Sequence, residues 1–298
     1  MPTERSYTCI WCGTTNDGTA LSCPGCGVAV DVARIVTRSG WVELPGRKDM
    51  AKIQLGQSSL QIEGEYVPVA DFDLAADGGV YFTHHVLLWK DTSVRLATMS
   101  LAGGWKRLLA GLPLVMMEAH GPGHVAFSRD APGELIALPI QPGQAIDVRE
   151  HIFLAATHSV SYEWFDPQVW FTTREDKNTI THYPTGRFMD RFAAQQAPGL
   201  LLLHAAGNAF IRQLGEGESI LIKPTALLFK DPTVSMRLHL EYPAASGSSG
   251  FFGSAWRSRH LWLTLIGPGR VAMHSAYDPS GDEGHAIRSM STSTEQQW

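Results

Sequence analysis

The chain of 298 residues is poor in charge. Only 18% of it is Asp, Glu, Lys or Arg, and acidic residues outnumber basic ones 29 to 24. The cationic surplus of a whole-chain nucleic-acid binder is therefore missing. Long apolar runs are missing too. The longest strongly apolar stretch, Leu108 to Met117, falls short of the ~20 residues that span a bilayer, and Pro113 interrupts it. The first ten residues, MPTERSYTCI, hold no apolar segment behind a basic start. No secretory signal is read there, and a cytoplasmic location is expected. There is no Gly-x-Ser-x-Gly elbow and no Gly-x-x-x-x-Gly-Lys-Ser loop, so two common marks of enzymes are absent. What the chain does have is a 44% apolar composition, enough to build a core and too much for a disordered chain.

All 4 cysteines fall in the first 26 residues. They form two Cys-x-x-Cys turns, Cys9-Ile-Trp-Cys12-Gly13 and Cys23-Pro-Gly-Cys26-Gly27. Each turn supplies half of a tetrahedral site. Glycine after the second cysteine suits the tight turn and lets backbone amides approach sulfur. A segment of ~40 residues cannot bury enough surface to fold alone, so an ion is expected to supply the stability. One structural Zn2+ held by Cys9, Cys12, Cys23 and Cys26 is the leading reading. Two disulfides and a rubredoxin-like iron site are the alternatives. Four thiolates leave no open position for catalysis. Within residues 1–40, Arg5, Arg34 and Arg38 are cancelled by Glu4, Asp17 and Asp31, so the ribbon is not a basic surface.

From about residue 50 the pattern changes. Glycine and proline punctuate short alternating runs such as Lys52-Ile-Gln-Leu55, Ser59-Leu-Gln-Ile62 and Leu261-Trp-Leu-Thr-Leu-Ile266, which predict many short strands. The segments also repeat. Val86-Leu-Leu-Trp-Lys-Asp-Thr-Ser-Val94 returns as Ala226-Leu-Leu-Phe-Lys-Asp-Pro-Thr-Val234, with a weaker copy at Ile152-Phe-Leu-Ala-Ala-Thr-His-Ser-Val160. Gly121-Pro-Gly-His-Val-Ala-Phe-Ser128 returns as Gly267-Pro-Gly-Arg-Val-Ala-Met273, and Ala205-Ala-Gly-Asn-Ala-Phe210 is read as its weak copy. The fold class expected is all-β: three related β-sandwich units of roughly 70 residues with pseudo-threefold symmetry, preceded by the small zinc ribbon. The domains expected are the ribbon at 1–40, the triplicated β-sandwich domain at 41–278 and a disordered polar tail at 279–298.

Several of these motifs, in order, resemble the altered-inheritance-of-mitochondria 24 family. They are Gly103-Gly-Trp-Lys-Arg-Leu-Leu-Ala-Gly111, Gly121-Pro-Gly-His-Val-Ala-Phe127, Gly215-Glu-Gly-Glu-Ser-Ile-Leu-Ile222 and Leu261-Trp-Leu-Thr-Leu-Ile-Gly-Pro-Gly-Arg-Val271. The resemblance covers roughly residues 50 to 278 and leaves the ribbon outside. It implies a fold similar to that of the tryptophan RNA-binding attenuation protein. It assigns no activity to bacterial members and links mitochondrial members to inner-membrane organisation.

The 12 histidines prompt a search for metal chemistry. No His-x-His pair of the cupin kind occurs. His84 and His85 are adjacent, so a strand would point them to opposite faces. His120 and His124 flank a Gly-Pro-Gly turn, but Ile266 and Arg270 stand at the matching positions of the other copy. Asp166 and Asp278, each before a proline, read as turn residues. Phe188, Met189, Phe192 and Ala193 suggest one short helix. No enzyme is expected.

Two segments carry aromatic and basic residues together. Trp105, Leu108, Leu109 and Leu112 share one helical face beside Lys106 and Arg107. Phe251 and Phe252 sit in a glycine-serine stretch followed by Trp256, Arg257 and Arg259. Both stretches precede a strand that ends in Gly-Pro-Gly. Such residues suit a protein groove or a membrane interface, and the competing reading is that they seal the open ends of the β units. The function expected is a non-enzymatic binding or scaffold protein docking a protein partner through Trp105, Lys106, Arg107, Phe251, Phe252, Trp256 and Arg257. Peripheral membrane contact and homo-oligomer formation stay open. A nucleic-acid binder using the ribbon is the alternative, and a ligand-binding or metal-dependent enzyme is the lesser one.

Overall fold

The computed structural model describes residues 7–9, 12–16, 20, 22–28, 39–44, 51–99, 116–175, 178–241 and 260–276. Strands β1 (Tyr7–Thr8) and β2 (Thr15–Asn16) form a small hairpin around the first cysteine turn. Then come β3 (Val42–Glu43) and a hairpin of β4 (Ala51–Leu55) and β5 (Ser58–Glu63).

The rest is one six-strand order repeated three times. Unit 1 holds β6 (Val69–Leu74), β7 (Gly79–Thr83), β8 (Leu87–Lys90), β9 (Arg95–Thr98), β10 (Met116–His120) and β11 (Gly123–Ser128). Unit 2 holds β12 (Glu134–Ile140), β13 (Ala145–Arg149), β14 (Phe153–Thr157), β15 (Val160–Phe165), β18 (Met189–Ala194) and β19 (Gly199–Ala205), with a hairpin of β16 (Phe171–Glu175) and β17 (Asn178–His182) inserted before β18. Unit 3 holds β20 (Ala209–Leu214), β21 (Ser219–Ile222), β22 (Leu227–Lys230), β23 (Ser235–Glu241), β24 (His260–Ile266) and β25 (Gly269–His274). In each unit the first, sixth and third strands form one antiparallel half-sheet, and the second, fifth and fourth form the other.

The units are joined by strand pairing. The second strand of one unit pairs with the third strand of the next: β7 with β14, and β13 with β22. Half-sheets of neighbouring units thereby fuse into a six-stranded and, with β3, a seven-stranded sheet. Three buried clusters lie between consecutive sheets. Phe72, Phe82 and Phe127 centre the first, Phe153, Phe192 and Phe229 the second, and Leu263, Leu265 and Val271 the third. Strand β19 is buried along its whole length. Leu200 and Leu202 enter the first core, and Leu201 and Leu203 the second. A strand with two dry faces reads as a continuous apolar run, which explains Gly199-Leu-Leu-Leu-Leu203.

The two recurring motifs are physically linked. The Asp91 carboxylate accepts the backbone N–H of His124 at 2.8 Å, and Asp231 accepts that of Arg270 at 2.8 Å. Each clamp ties the end of the third strand to the residue after Gly-Pro-Gly. In unit 2 the Thr157 hydroxyl does the same job, accepting the N–H of Leu200 at 3.0 Å. Backbone crowding explains the glycines. A Cβ on Gly121 would run into the Ala75 carbonyl, and one on Gly267 into the Gly215 carbonyl. Gly123 and Gly269 hold φ of +124° and +140°, a region that favours glycine.

Three expectations are corrected. Phe188, Met189, Phe192 and Ala193 form no helix. Met189–Ala194 is strand β18, paired on both sides by β13 and β15, and double-sided burial of Met189, Asp190, Phe192 and Ala194 blurs the strand alternation. Ala205 to Phe210 is not the third Gly-Pro-Gly turn, because it links β19 to β20. The equivalent turn runs between β18 and β19 and keeps only Pro198-Gly199. His84 and His85 lie on a short 3-10 turn, His84–Val86, and not on a strand, with ring centroids 5.5 Å apart.

Candidate metal centre and its surroundings

The two cysteine turns close on one point. The four sulfurs lie within 4.8 Å of one another. Cys9 Sγ is 3.6 Å from Cys26 Sγ, and Cys12 Sγ is 3.4 Å from Cys23 Sγ. Tetrahedral ligands on bonds of about 2.3 Å stand about 3.8 Å apart, so the set fits a tetrahedral thiophilic ion with little adjustment. These spacings are far beyond the ~2.05 Å of a disulfide, so no disulfide joins the four cysteines.

Local backbone chemistry builds the site. Gly13 N–H donates to the Cys9 carbonyl at 2.9 Å, and Gly27 N–H to the Cys23 carbonyl at 2.6 Å. Both glycines have positive φ, +71° and +68°, as the turns require. Burial alone would raise the Cys23 thiol. The backbone N–H groups of Gly25 and Cys26, with the Cys12 and Cys9 thiols, outweigh it and bring Cys23 down to about 6. Cys26 is pushed upward, chiefly by burial. Cys9, Cys23, Cys26 and Val28 belong to the same buried cluster as Ile53, Leu60 and Phe72, so the cysteine turns are part of the first core.

Among the described residues, no second group of three or more His, Cys, Asp or Glu side chains converges closely enough to hold an ion. His120 and His124 do not face each other. His120 Nε2 lies 3.1 Å from Glu118, and His124 Nδ1 lies 3.1 Å from Asp71. Asp166 is a turn residue as expected, its carboxylate accepting the Gln168 N–H at 2.7 Å. Asp278 lies outside the described residues. Burial lowers the imidazoles of His85, His158 and His204, and takes His274 down to about 4.

The seven proposed contact residues, Trp105, Lys106, Arg107, Phe251, Phe252, Trp256 and Arg257, lie outside the described residues, as does the 279–298 tail. What the structure fixes is where their segments leave and rejoin the fold. Residues 100–115 connect β9 to β10, and 242–259 connect β23 to β24. These are the same connection in units 1 and 3. In unit 2 that connection carries the β16–β17 hairpin.

The repeated units, their junction rule and the Gly-Pro-Gly clamps can be compared with known proteins. The family model described as Mitochondrial biogenesis AIM24 matches residues 60–276. The chain belongs to the AIM24 family. The fold is also similar to that of the solved X-ray structure of protein SPYM3_0169 from Streptococcus pyogenes. That protein is 20% identical, with a TM-score of 0.52 over 74% of this chain and 94% of the other. Comparison with curated proteins gives no match. The four cysteines precede the stretch that the AIM24 model matches. No helix among the described residues is long and apolar enough to cross a membrane.

Sequence reasoning missed one feature of the surface. Leu88 and Trp89 on β8, and Leu221 on β21, are exposed. Nothing in the motif signals this, because the closely matching Leu228 and Phe229 are fully buried.

Proposed function

We propose that this AIM24-family protein is a non-enzymatic binding or scaffold module. Its cysteine cluster holds one structural zinc ion, and its contact surface is built from two apolar–basic segments. The observation that carries the reading is the equivalence of the two connections. Units 1 and 3 both place an aromatic and basic segment between their fourth and fifth strands. Aromatic residues with arginine are the groups that dominate binding energy at protein interfaces. Zinc is supported by four converging sulfurs and two Cys-x-x-Cys turns. With four protein ligands the ion has no open coordination position, so its role is to stabilise. A cytoplasmic setting, where thiols stay reduced, belongs to this reading.

The test is affinity capture with the full chain beside a variant carrying Trp105→Ala, Phe251→Ala and Phe252→Ala. The proposal expects a partner retained by the wild-type chain and lost by the variant at unchanged thermal stability. An identical set of captured proteins from both chains counts against it. A salt-dependent mobility shift with nucleic acid would favour the alternative binder, since phosphate contacts weaken as salt rises.

A further inference from the structure

Two of the three units are joined to a successor by one rule, and the strands needed for one more junction are present, each paired on one side only among the described residues. At the first junction Val80, Tyr81 and Phe82 of β7 stand opposite Thr157, Ala156 and Ala155 of β14. At the second, Asp147 and Val148 of β13 stand opposite Lys230 and Phe229 of β22. Unit 3 has its own second strand, β21, and unit 1 its own third strand, β8. Strand β21 ends a three-stranded sheet, and β8 ends a five-stranded one. Neither has a neighbour on its outer side among the described residues.

Burial marks the same two edges. Leu88 is 56% exposed and Trp89 42%, whereas the matching Leu154, Leu228, Ala155 and Phe229 are at 0%. Leu221 is 41% exposed, whereas Tyr81 and Asp147 at the same place in their units are at 1% and 0%. Short as they are, at four residues each, these strands present open edges with exposed apolar side chains, and an open strand edge is a template for pairing with another chain.

We infer that β21 of one copy pairs with β8 of a second copy, extending the junction that joins the units within one chain. The occupant is a second molecule of this protein. The internal rule sets the register: Leu221 opposite Lys90, Ile222 opposite Trp89, and Ile220 opposite Asp91. The chemistry is complementary. At the second internal junction Lys230 meets a buried carboxylate, Asp147, at 2.9 Å. Lys90 needs no such partner, because its ammonium already donates to the Asp91 and Val94 carbonyls, both at 3.0 Å. Its apolar stem can therefore lie against Leu221 while the ammonium keeps those two hydrogen bonds and reaches solvent. The contact is head-to-tail, so it forms rings or open chains and not an isologous dimer. The inference is independent of the partner-docking reading.

The test measures the mass of the full chain by light scattering across a concentration series. The variants are Leu221→Lys and Trp89→Asp, both at partly exposed positions, and because Trp89 also stacks on His124 a thermal melt of each variant verifies that it folds. Wild type is expected above the monomer mass of 32.6 kDa. Each single variant is expected at the monomer mass. An equal mixture of the two is the decisive sample. The first variant keeps an intact β8 and the second an intact β21, so the mixture forms a dimer and nothing larger. A wild type that stays monomeric at every concentration overturns the inference. So do single variants that keep the wild-type mass, or a mixture that stays monomeric.

Discussion

Lys230 reaches across the junction of units 2 and 3 to place its ammonium 2.9 Å from the Asp147 carboxylate, with both side chains buried. Arg191 grips the same carboxylate from the neighbouring strand at 2.6 and 3.0 Å, and this pairing raises its guanidinium above the usual range. Removing one member of a buried pair strands the other charge. Asp147→Ala is therefore expected to lower stability by about 3–5 kcal/mol. The double change Asp147→Leu with Lys230→Met should recover most of that loss, since Arg191 is partly exposed and can turn to water. Guanidinium unfolding midpoints of the three chains check this. A double variant as weak as the single one would contradict it.

The clamp after Gly-Pro-Gly supports a second prediction. Thr157 serves unit 2 where Asp91 and Asp231 serve units 1 and 3. The acceptor oxygen, and not the negative charge, is thus the shared requirement. Asp91→Ala should cost about 1–2 kcal/mol, and Asp91→Thr should restore most of it. Thermal melts of the pair distinguish this from a purely electrostatic role, in which Thr would fare no better than Ala.

Acid lability follows from the buried histidines. Burial, with Arg149 nearby, takes His274 from its ordinary 6.5 to about 4. As pH falls through 6.5 the unfolded chain binds a proton that the folded chain refuses until about 4. Stability is therefore lost with falling pH across that window, by at most about 3 kcal/mol from this residue. His158 and His204 are shifted in the same direction. Unfolding free energies between pH 7 and 4.5 should show this slope, and His274→Asn should flatten it. An unchanged slope would remove His274 as its source.

Metal removal is predicted to act locally at first. Cys9, Cys23, Cys26 and Val28 share a buried cluster with Ile53 of β4 and Leu60 of β5, so losing the ion loosens the first core on the side of that hairpin. The other two cores contain no cysteine. Chelation should make four thiols reactive and lower the melting temperature while the strand signal in circular dichroism persists. Four thiols reactive before chelation would refute a metal-filled site.

The sequence alone determined the cysteine cluster, the all-β class and the existence of three units, because each rests on short-range chemistry. Two Cys-x-x-Cys turns can close only on a small site. Asp91, Asp231 and Thr157 recur because every unit must tie its third strand to the residue following the same turn. Tertiary structure decided the rest. Strand β18 reads as helical because a polar residue, Asp190, occupies the core face beside Phe192 and Ala194, while Met189 is buried on the opposite face. The third Gly-Pro-Gly turn was misplaced because unit 2 preserves the clamp through Thr157 and keeps only Pro198-Gly199 of the turn. Most telling are the paired motifs Leu88-Trp89-Lys90 and Leu228-Phe229-Lys230, nearly identical as sequence and opposite in burial. No local pattern can separate them. Their difference lies in whether another strand stands alongside, which is a property of how the units are stacked.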